Sequence, residues 1–317
     1  MTLPLPPFYS DDDTGQLRLE RAETAVQAGL KTRWAQPPRK SEVRIAAFGI
    51  DCQTCFCLPG GSLFVPGAVE DSSRACRWLY THADVIDTLV MSLDTHRLFQ
   101  IFHPSWWRDA NGRVPPPMTV VRADDIASGR FIPIRHKDRA LEYAQRLEAG
   151  GRYVLTLWPY HGLQGGVSQA LLPSFMEACL YFQAYRQTDV HFEIKGLHPD
   201  TEHFSVFRPE VLELEGEMVA AFHDALSDLL LQHDQIFIFG QAKSHCVLST
   251  VRDWVEHLQD PSLICRIHLL DDATSPVQPP PLDPLPPELD FPSRAESEFA
   301  RLESLGVRRV RTTDAIA

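Results

Sequence analysis

Cys246 stands where a thiol can do chemistry. An apolar run, residues 236–239, leads through a short polar loop into a helix-period segment, residues 244–258, near whose start the cysteine lies. A helix N-terminus offers free backbone N–H groups and the positive end of the peptide dipole. A thiol there is expected to ionise more readily and to act as a nucleophile, with the same N–H groups receiving an oxyanion. The plain alternative is packing, because free cysteine is among the most buried residue types. Two groups at the ends of other apolar runs favour chemistry: Asp51 after residues 44–50, and Lys195 after residues 190–194. A carboxylate beside the thiol can take its proton, and an ammonium can hold that carboxylate and favour the thiolate. Lysine occurs at only five positions, 31, 40, 137, 195 and 243, so two of the five stand at strand ends beside this chemistry.

A second set pairs one carboxylate with three imidazoles. Asp94-Thr95-His96 ends the run 85–93, His103 follows within a loop, and His161 follows the run 153–157. In extended backbone Asp-x-His puts both side chains on one face. One Asp with three His suits a divalent transition ion, zinc first, with iron or manganese as the alternatives. For a lone histidine an ordinary polar role is the better account; the matched pair with two further histidines near strand ends is less easily dismissed. Cys52-x-x-Cys55-x-Cys57 is a competing ligand cluster, but no second cysteine pair at metal-ligand spacing accompanies it, and small apolar packing explains it better.

To bring these groups together, the chain must put several strand ends on one edge. Apolar runs at 44–50, 85–93, 153–157, 190–194, 236–239 and 266–270 alternate with helix-period segments at 70–82, 137–149, 169–186, 213–232, 244–258 and 294–305. Short strands alternating with longer amphipathic helices predict a three-layer α/β/α fold with a mostly parallel, doubly wound sheet of about six strands. Ligands of such sheets bind outside the carboxyl ends of the strands. Residues 307–312 are expected to close the sheet edge or pack beside it. Residues 1–42 form an N-terminal extension with one helix over 17–30, expected to drape over the surface or reach a neighbouring subunit of a homo-oligomer. Residues 43–317 form the main domain, with insertions at 111–134 and at the proline-rich stretch 275–292, where Pro276, Pro279, Pro280, Pro281, Pro284, Pro286, Pro287 and Pro292 forbid a helix or central strand.

Composition sets bounds. With 317 residues, 44% of them hydrophobic, the chain can bury a sizeable core. A net charge of −12 argues against nucleic acid or an anionic membrane as partner. No apolar run reaches the ~18 residues of a membrane span. The start, Pro-rich and followed by Asp11-Asp12-Asp13, lacks a signal peptide's apolar core, and seven cysteines suit a reducing compartment. A cytoplasmic location is therefore expected.

Taken in order, Asp51-x-Gln53-x-x-Phe56, Asp94-x-His96 with His103, Trp158-Pro159-x-His161, Lys195-Gly196 and Gly240-x-Ala242-x-x-x-Cys246-Val247 resemble the isochorismatase-like cysteine hydrolases. The histidines, and the stretch 202–207, are most similar to the nicotinamidase/pyrazinamidase branch. The resemblance covers residues 43–317. It implies Cys246 as nucleophile, Asp51 as general base and acid, and Lys195 as their electrostatic partner. It further implies a metal on Asp94, His96, His103 and His161, an aromatic substrate between Phe56 and Trp158, and an oxyanion hole of the Ala242 and Cys246 N–H groups beside a cis Gln241–Ala242 peptide. The implied activity is hydrolysis of a small amide, nicotinamide first. A different amide or ureido substrate and a non-catalytic binding protein are the other readings; the intact Asp51, Lys195 and Cys246 argue against the last. Gly162, where the branch usually has Cys, Lys243-Ser244 in place of Thr-Asp, and the two insertions depart from the pattern and bear on substrate choice.

Overall fold

Runs that are apolar at every position are expected where a parallel sheet is covered on both faces, and this one is. The computed structural model of the protein describes residues 2–279, 281 and 283–316; Pro280 of the proline-rich stretch lies outside them. Six strands form one sheet in the order Arg308–Val310, Ile267–Leu270, Gln235–Gly240, Ile45–Ile50, Ile86–Asp94, His191–Lys195. Every neighbouring pair is parallel. The expected doubly wound α/β architecture is present.

Alternation along Gln235–Gly240 shows how the layers are built. Ile236 and Ile238 enter the core shared with Val251, Trp254 and Phe299, while Phe237 and Phe239 enter the opposite core with Trp78, Phe175 and Phe182. Helices Ala68–His82 and Pro173–Arg186 contribute to the latter layer, and Leu248–Leu258 and Phe291–Ser304 to the former. Chain order reverses at Ile45–Ile50. From this strand the path runs outward through Ile86–Asp94 to His191–Lys195, then returns to Gln235–Gly240 on the other side. Asp51 and the Cys246 segment thus leave the sheet at the switch point, where adjacent loops part and open a crevice.

Three expected elements of the main domain differ, while residues 308–310 close the sheet edge as expected. Residues 153–157 are not a strand of the sheet; their backbone is bonded by the first insertion, Leu157 N–H to Thr119 O at 2.8 Å and Val121 N–H to Leu155 O at 2.9 Å. Leu155, Leu157 and Trp158 pack there with Trp106 and Tyr143, so a buried apolar run was satisfied by a separate small core rather than by the sheet. The sixth strand is Arg308–Val310 instead. Residues 213–232 hold a two-stranded hairpin, Glu213–Leu214 with Glu217–Met218, before a helix limited to Asp224–Leu231. The helix expected from 169 begins at Pro173, which is suited to the first turn of a helix.

The N-terminal segment lies on its own chain. Leu3 N–H bonds Thr81 O at 2.9 Å, and helix Ala22–Ala35 packs along Pro173–Arg186. Gly29 permits that approach, for a Cβ there would sit 2.5 Å from Tyr181 O. Buried Glu177 receives Arg18 Nη2 at 2.9 Å and Arg21 Nη2 at 3.0 Å.

Candidate active site

The ends of four segments meet at the switch point. Lys195, the last residue of its strand, is buried with Nζ 2.9 Å from Asp51 Oδ2, 2.7 Å from Asp94 Oδ1 and 3.6 Å from Cys246 Sγ. Nζ also donates to His203 O at 2.9 Å. Ser92 Oγ donates to the other Asp51 oxygen at 2.6 Å. The three residues expected to act together are in contact. Cys246 lies in the π-helical turn Lys243–Val247 that precedes helix Leu248–Leu258. The peptide Gln241–Ala242 is cis, as expected. Ala242 N–H donates to no group among the described residues, and Ala242 and Cys246 both line the adjoining cavity.

One expectation is corrected. Burial pushes the Cys246 thiol well above its ordinary value; Lys195 works against this, while Asp51 and Asp94 add to it. The helix end and Lys195 do not outweigh the burial of the sulfur, so the shift is opposite to the one expected. Burial also raises Asp51, opposed by Lys195, which makes its carboxylate a better proton acceptor. Burial disfavours the Lys195 ammonium, but Asp51, Asp94 and Cys246 outweigh it and hold the lysine charged.

Asp94 connects this set to the histidines. Its Oδ2 lies 2.9 Å from His96 Nε2 and 3.6 Å from His161 Nε2. Ligand atoms of Asp94, His96 and His161 all fall within 4.8 Å of one another. Each histidine has its Nδ1 turned to backbone carbonyls: His96 to Gly196 O at 3.1 Å, His161 to Pro159 O at 2.6 Å, and His103 to Arg97 O at 3.1 Å. A carbonyl only accepts, so Nδ1 carries the proton and each Nε2 keeps its lone pair. His103 Nε2 is buried without a partner, its ring 5.8 Å from those of His96 and His161. Lone pairs facing a carboxylate, with an orphaned Nε2 beside them, call for a cation between them. The donor set fits a divalent metal. Gly196 makes room, since a Cβ there would sit 2.6 Å from His96 Cε1 and 2.9 Å from Asp94 Oδ1. Gly162 has φ +54°, and a Cβ would meet Asp94 O at 2.5 Å, which accounts for glycine after the motif histidine. Cys52, Cys55 and Cys57 are buried free thiols, and no such ligand group among the described residues includes them.

Phe56 and Trp158 line a slot over Cys246, together with Asp94 and His161. Water-sized groups can centre themselves over only about 30 Å³ of it, so it suits a small flat molecule. Sequence reasoning assigned no role to four other lining residues, Leu63, Phe204, His245 and Val277. His245 adjoins Cys246 and its Nε2 is buried without a partner. Ser244 Oγ accepts from Val277 N–H at 3.0 Å and meets His245 Nδ1 at 2.9 Å. Burial, with Arg294 and Arg252, pushes His245 down to about 3, so the ring is neutral. Its place next to Cys246 in the chain does not by itself say that the ring faces the slot. Glu202 was also missed: buried, it accepts from Trp158 Nε1 at 2.5 Å and Tyr143 Oη at 3.2 Å, fixing the plane of the tryptophan.

Strand ends at a switch point, a buried Cys–Asp–Lys contact and an Asp–His cluster on the same edge mark a doubly wound α/β protein with one candidate site at its crevice. Solved structures share that fold. A nicotinamidase/pyrazinamidase from Acinetobacter baumanii superposes with a TM-score of 0.56 at 19% identity, over 87% of this chain and 100% of that one. The yeast nicotinamidase bound to the inhibitor nicotinaldehyde gives 0.54 at 17%, over 84% and 99%. PnC1 from L. infantum in complex with nicotinate gives 0.52 at 17%, over 87% and 97%. At the level of sequence, no family model and no curated protein matches. No helix among the described residues is long and apolar enough to cross a membrane.

Proposed function

We propose that the protein is a cysteine amidohydrolase that converts a small flat amide, nicotinamide first, to its carboxylate and ammonia. The contact of Lys195 Nζ with Asp51, Asp94 and Cys246 at the floor of a narrow aromatic slot carries this reading. Asp51 takes the thiol proton as Sγ adds to the carboxamide carbon. The N–H groups of Ala242 and Cys246 receive the oxygen as it becomes negative. Asp51 returns the proton to the amine, the carbon–nitrogen bond breaks, and ammonia leaves a thioester on Cys246. Water, deprotonated by Asp51, then adds to the thioester carbon; the carbon–sulfur bond breaks, Asp51 returns that proton to Sγ, and the acid departs as its carboxylate, its own proton passing to the ammonia released. Lys195 stays charged throughout and holds Asp51 in place. Asp94, His96, His161 and His103 would hold a divalent ion, zinc first, which supplies a Lewis acid for a ring nitrogen or a carbonyl when bound. Phe56 and Trp158 would sandwich the ring. The fold neighbours with nicotinaldehyde and nicotinate support the choice of substrate.

A second reading, another small amide of similar shape, is favoured by Val277. This residue of the proline-rich stretch forms part of the slot wall. Ammonia release from nicotinamide, pyrazinamide and benzamide separates the readings. Nicotinamide and pyrazinamide should turn over well and benzamide, which lacks the ring nitrogen, poorly. Equal rates on all three would remove the ring-nitrogen contact, and no ammonia from any amide of a wider panel would sink the amidase reading.

A further inference from the structure

Behind the slot wall lies a second, roomier hollow. Tyr153 and Phe291 pack against the ring of His245 at 5.2 and 4.7 Å, and both also line this hollow, which holds about 400 Å³ for water-sized groups. Three arginines, Arg152, Arg252 and Arg294, line it too. The proline-rich stretch and helix Phe291–Ser304 form one side, and the nucleophile's turn and helix the other, through Ser244 and Leu248.

The charges there are not balanced in the usual way. Arg252 is 5% exposed, its Nε has no partner, and Nη2 donates only to Ser249 Oγ at 3.2 Å. Its nearest carboxylate oxygen, Asp253 Oδ1, is 3.9 Å away and already holds Arg152 at 2.6 Å and Arg208 at 2.9 Å. Arg294 donates to the carbonyls of Glu288 at 2.9 Å, Gly151 at 3.4 Å and Arg152, and pairs with no carboxylate among the described residues. Both guanidinium carbons lie over the Tyr153 ring, at 5.6 and 6.0 Å. The acidic lining residues are engaged elsewhere: Asp290 accepts from Ser293 N–H at 3.3 Å, and Glu298 binds Arg301 at 3.1 Å. Half-buried Glu210 also feels Arg252, but forms no ion pair with it among the described residues. A buried cation without a paired anion is costly; Arg252 is one, and the half-buried Arg294 shares its hollow in a chain of net charge −12.

We propose that this hollow is a second ligand site, which takes a small oxyanion, a carboxylate or a phosphate group, between Arg252 and Arg294. Guanidinium groups match both chemistries with paired hydrogen bonds. Tyr153 and Phe291 offer apolar surface to any ring that carries the anion. Tyr153 Oη donates to Ser244 O at 3.1 Å, so an occupant sits one residue contact from the nucleophile's turn.

Titration calorimetry of the full chain tests this, with inorganic phosphate in one arm and benzoate in the other. Saturable heat from either anion, weakening with added salt, is expected, and the arm that responds names the ligand's source. Arg294→Gln and Ser297→Glu, at a half-buried and an exposed position on the hollow's rim, should weaken that binding by about tenfold or more; Arg252→Gln should do the same where it folds. Benzoate held in the catalytic slot would bind these variants as it binds the parent. Unchanged affinity in Arg294→Gln and Ser297→Glu, or no binding of either anion at about 10 mM, would overturn the proposal.

Discussion

Lys195 Nζ touches two carboxylates and a thiol in a buried space, so under the proposed mechanism its neighbours act as one unit rather than as separable contributors. Asp51→Asn and Lys195→Ala should each lower kcat/KM severely, and the double variant should be little worse than either. Additive losses would show independent roles. Cys246→Ala should lose at least ~10³-fold in rate; near-normal turnover would remove the covalent mechanism. Glu202 gives a prediction about pH. Burial raises it from 4.5 to about 8, with Trp158 and Tyr143 partly opposing and Glu210 adding. The folded chain then keeps a proton, between about pH 4.5 and about 8, that the unfolded chain has released. Stability from this group is present below that window and falls as pH rises through it, by at most about 1.4 kcal/mol per pH unit. Urea unfolding of the parent should weaken more from pH 5 to pH 8 than that of Glu202→Gln. Parallel pH curves would show that Glu202 ionises normally.

At the scale of elements, strand ends were the legible part. Runs that end in Asp51, Asp94-Thr95-His96, Lys195 and the Cys246 loop were readable because fully buried parallel strands are short apolar runs, and the residue after each must face the crevice. The run 153–157 shows the limit. Its apolar pattern matches a strand, yet an irregular segment bonded by residues 118–121 satisfies the same burial, and His161 still reaches the site through its loop. His245 and Glu202 were illegible because one needs the helix phase and the other a partner 44 residues away. The N-terminal extension was unassigned because its anchor, Glu177, is distant in sequence. Glu177→Ala strands Arg18 and Arg21 and should cost about 1–3 kcal/mol, the lower end being favoured by the solvent exposure of Arg21. Faster proteolysis before helix Ala22–Ala35 should accompany it. An unchanged cleavage rate would show that Leu3 and Gly29 hold the segment unaided.

For the whole molecule, the place of each strand in the sheet matters as much as its sequence. His191–Lys195 is one of the two edge strands, bonded on one flank only among the described residues, with Phe192 41% and Ile194 58% exposed. The innermost strand, Ile45–Ile50, carries Asp51. The proposed catalytic unit therefore spans a central strand and an edge strand of one sheet, and its lifetime is set by the weaker. Outer strands open at lower cost than inner ones. On warming, the lysine's strand should fray while Asp51 and Cys246 are still in place. Amide exchange should reach residues 191–195 before residues 45–50, and turnover should fade at temperatures where the bulk of the protein still gives a native circular-dichroism spectrum. Coincident loss of activity and of the global signal would mean that the margin is held as firmly as the centre. If the two separate, durability in this protein is a property of its border, and covering that one flank would prolong activity without altering a single group in the active site.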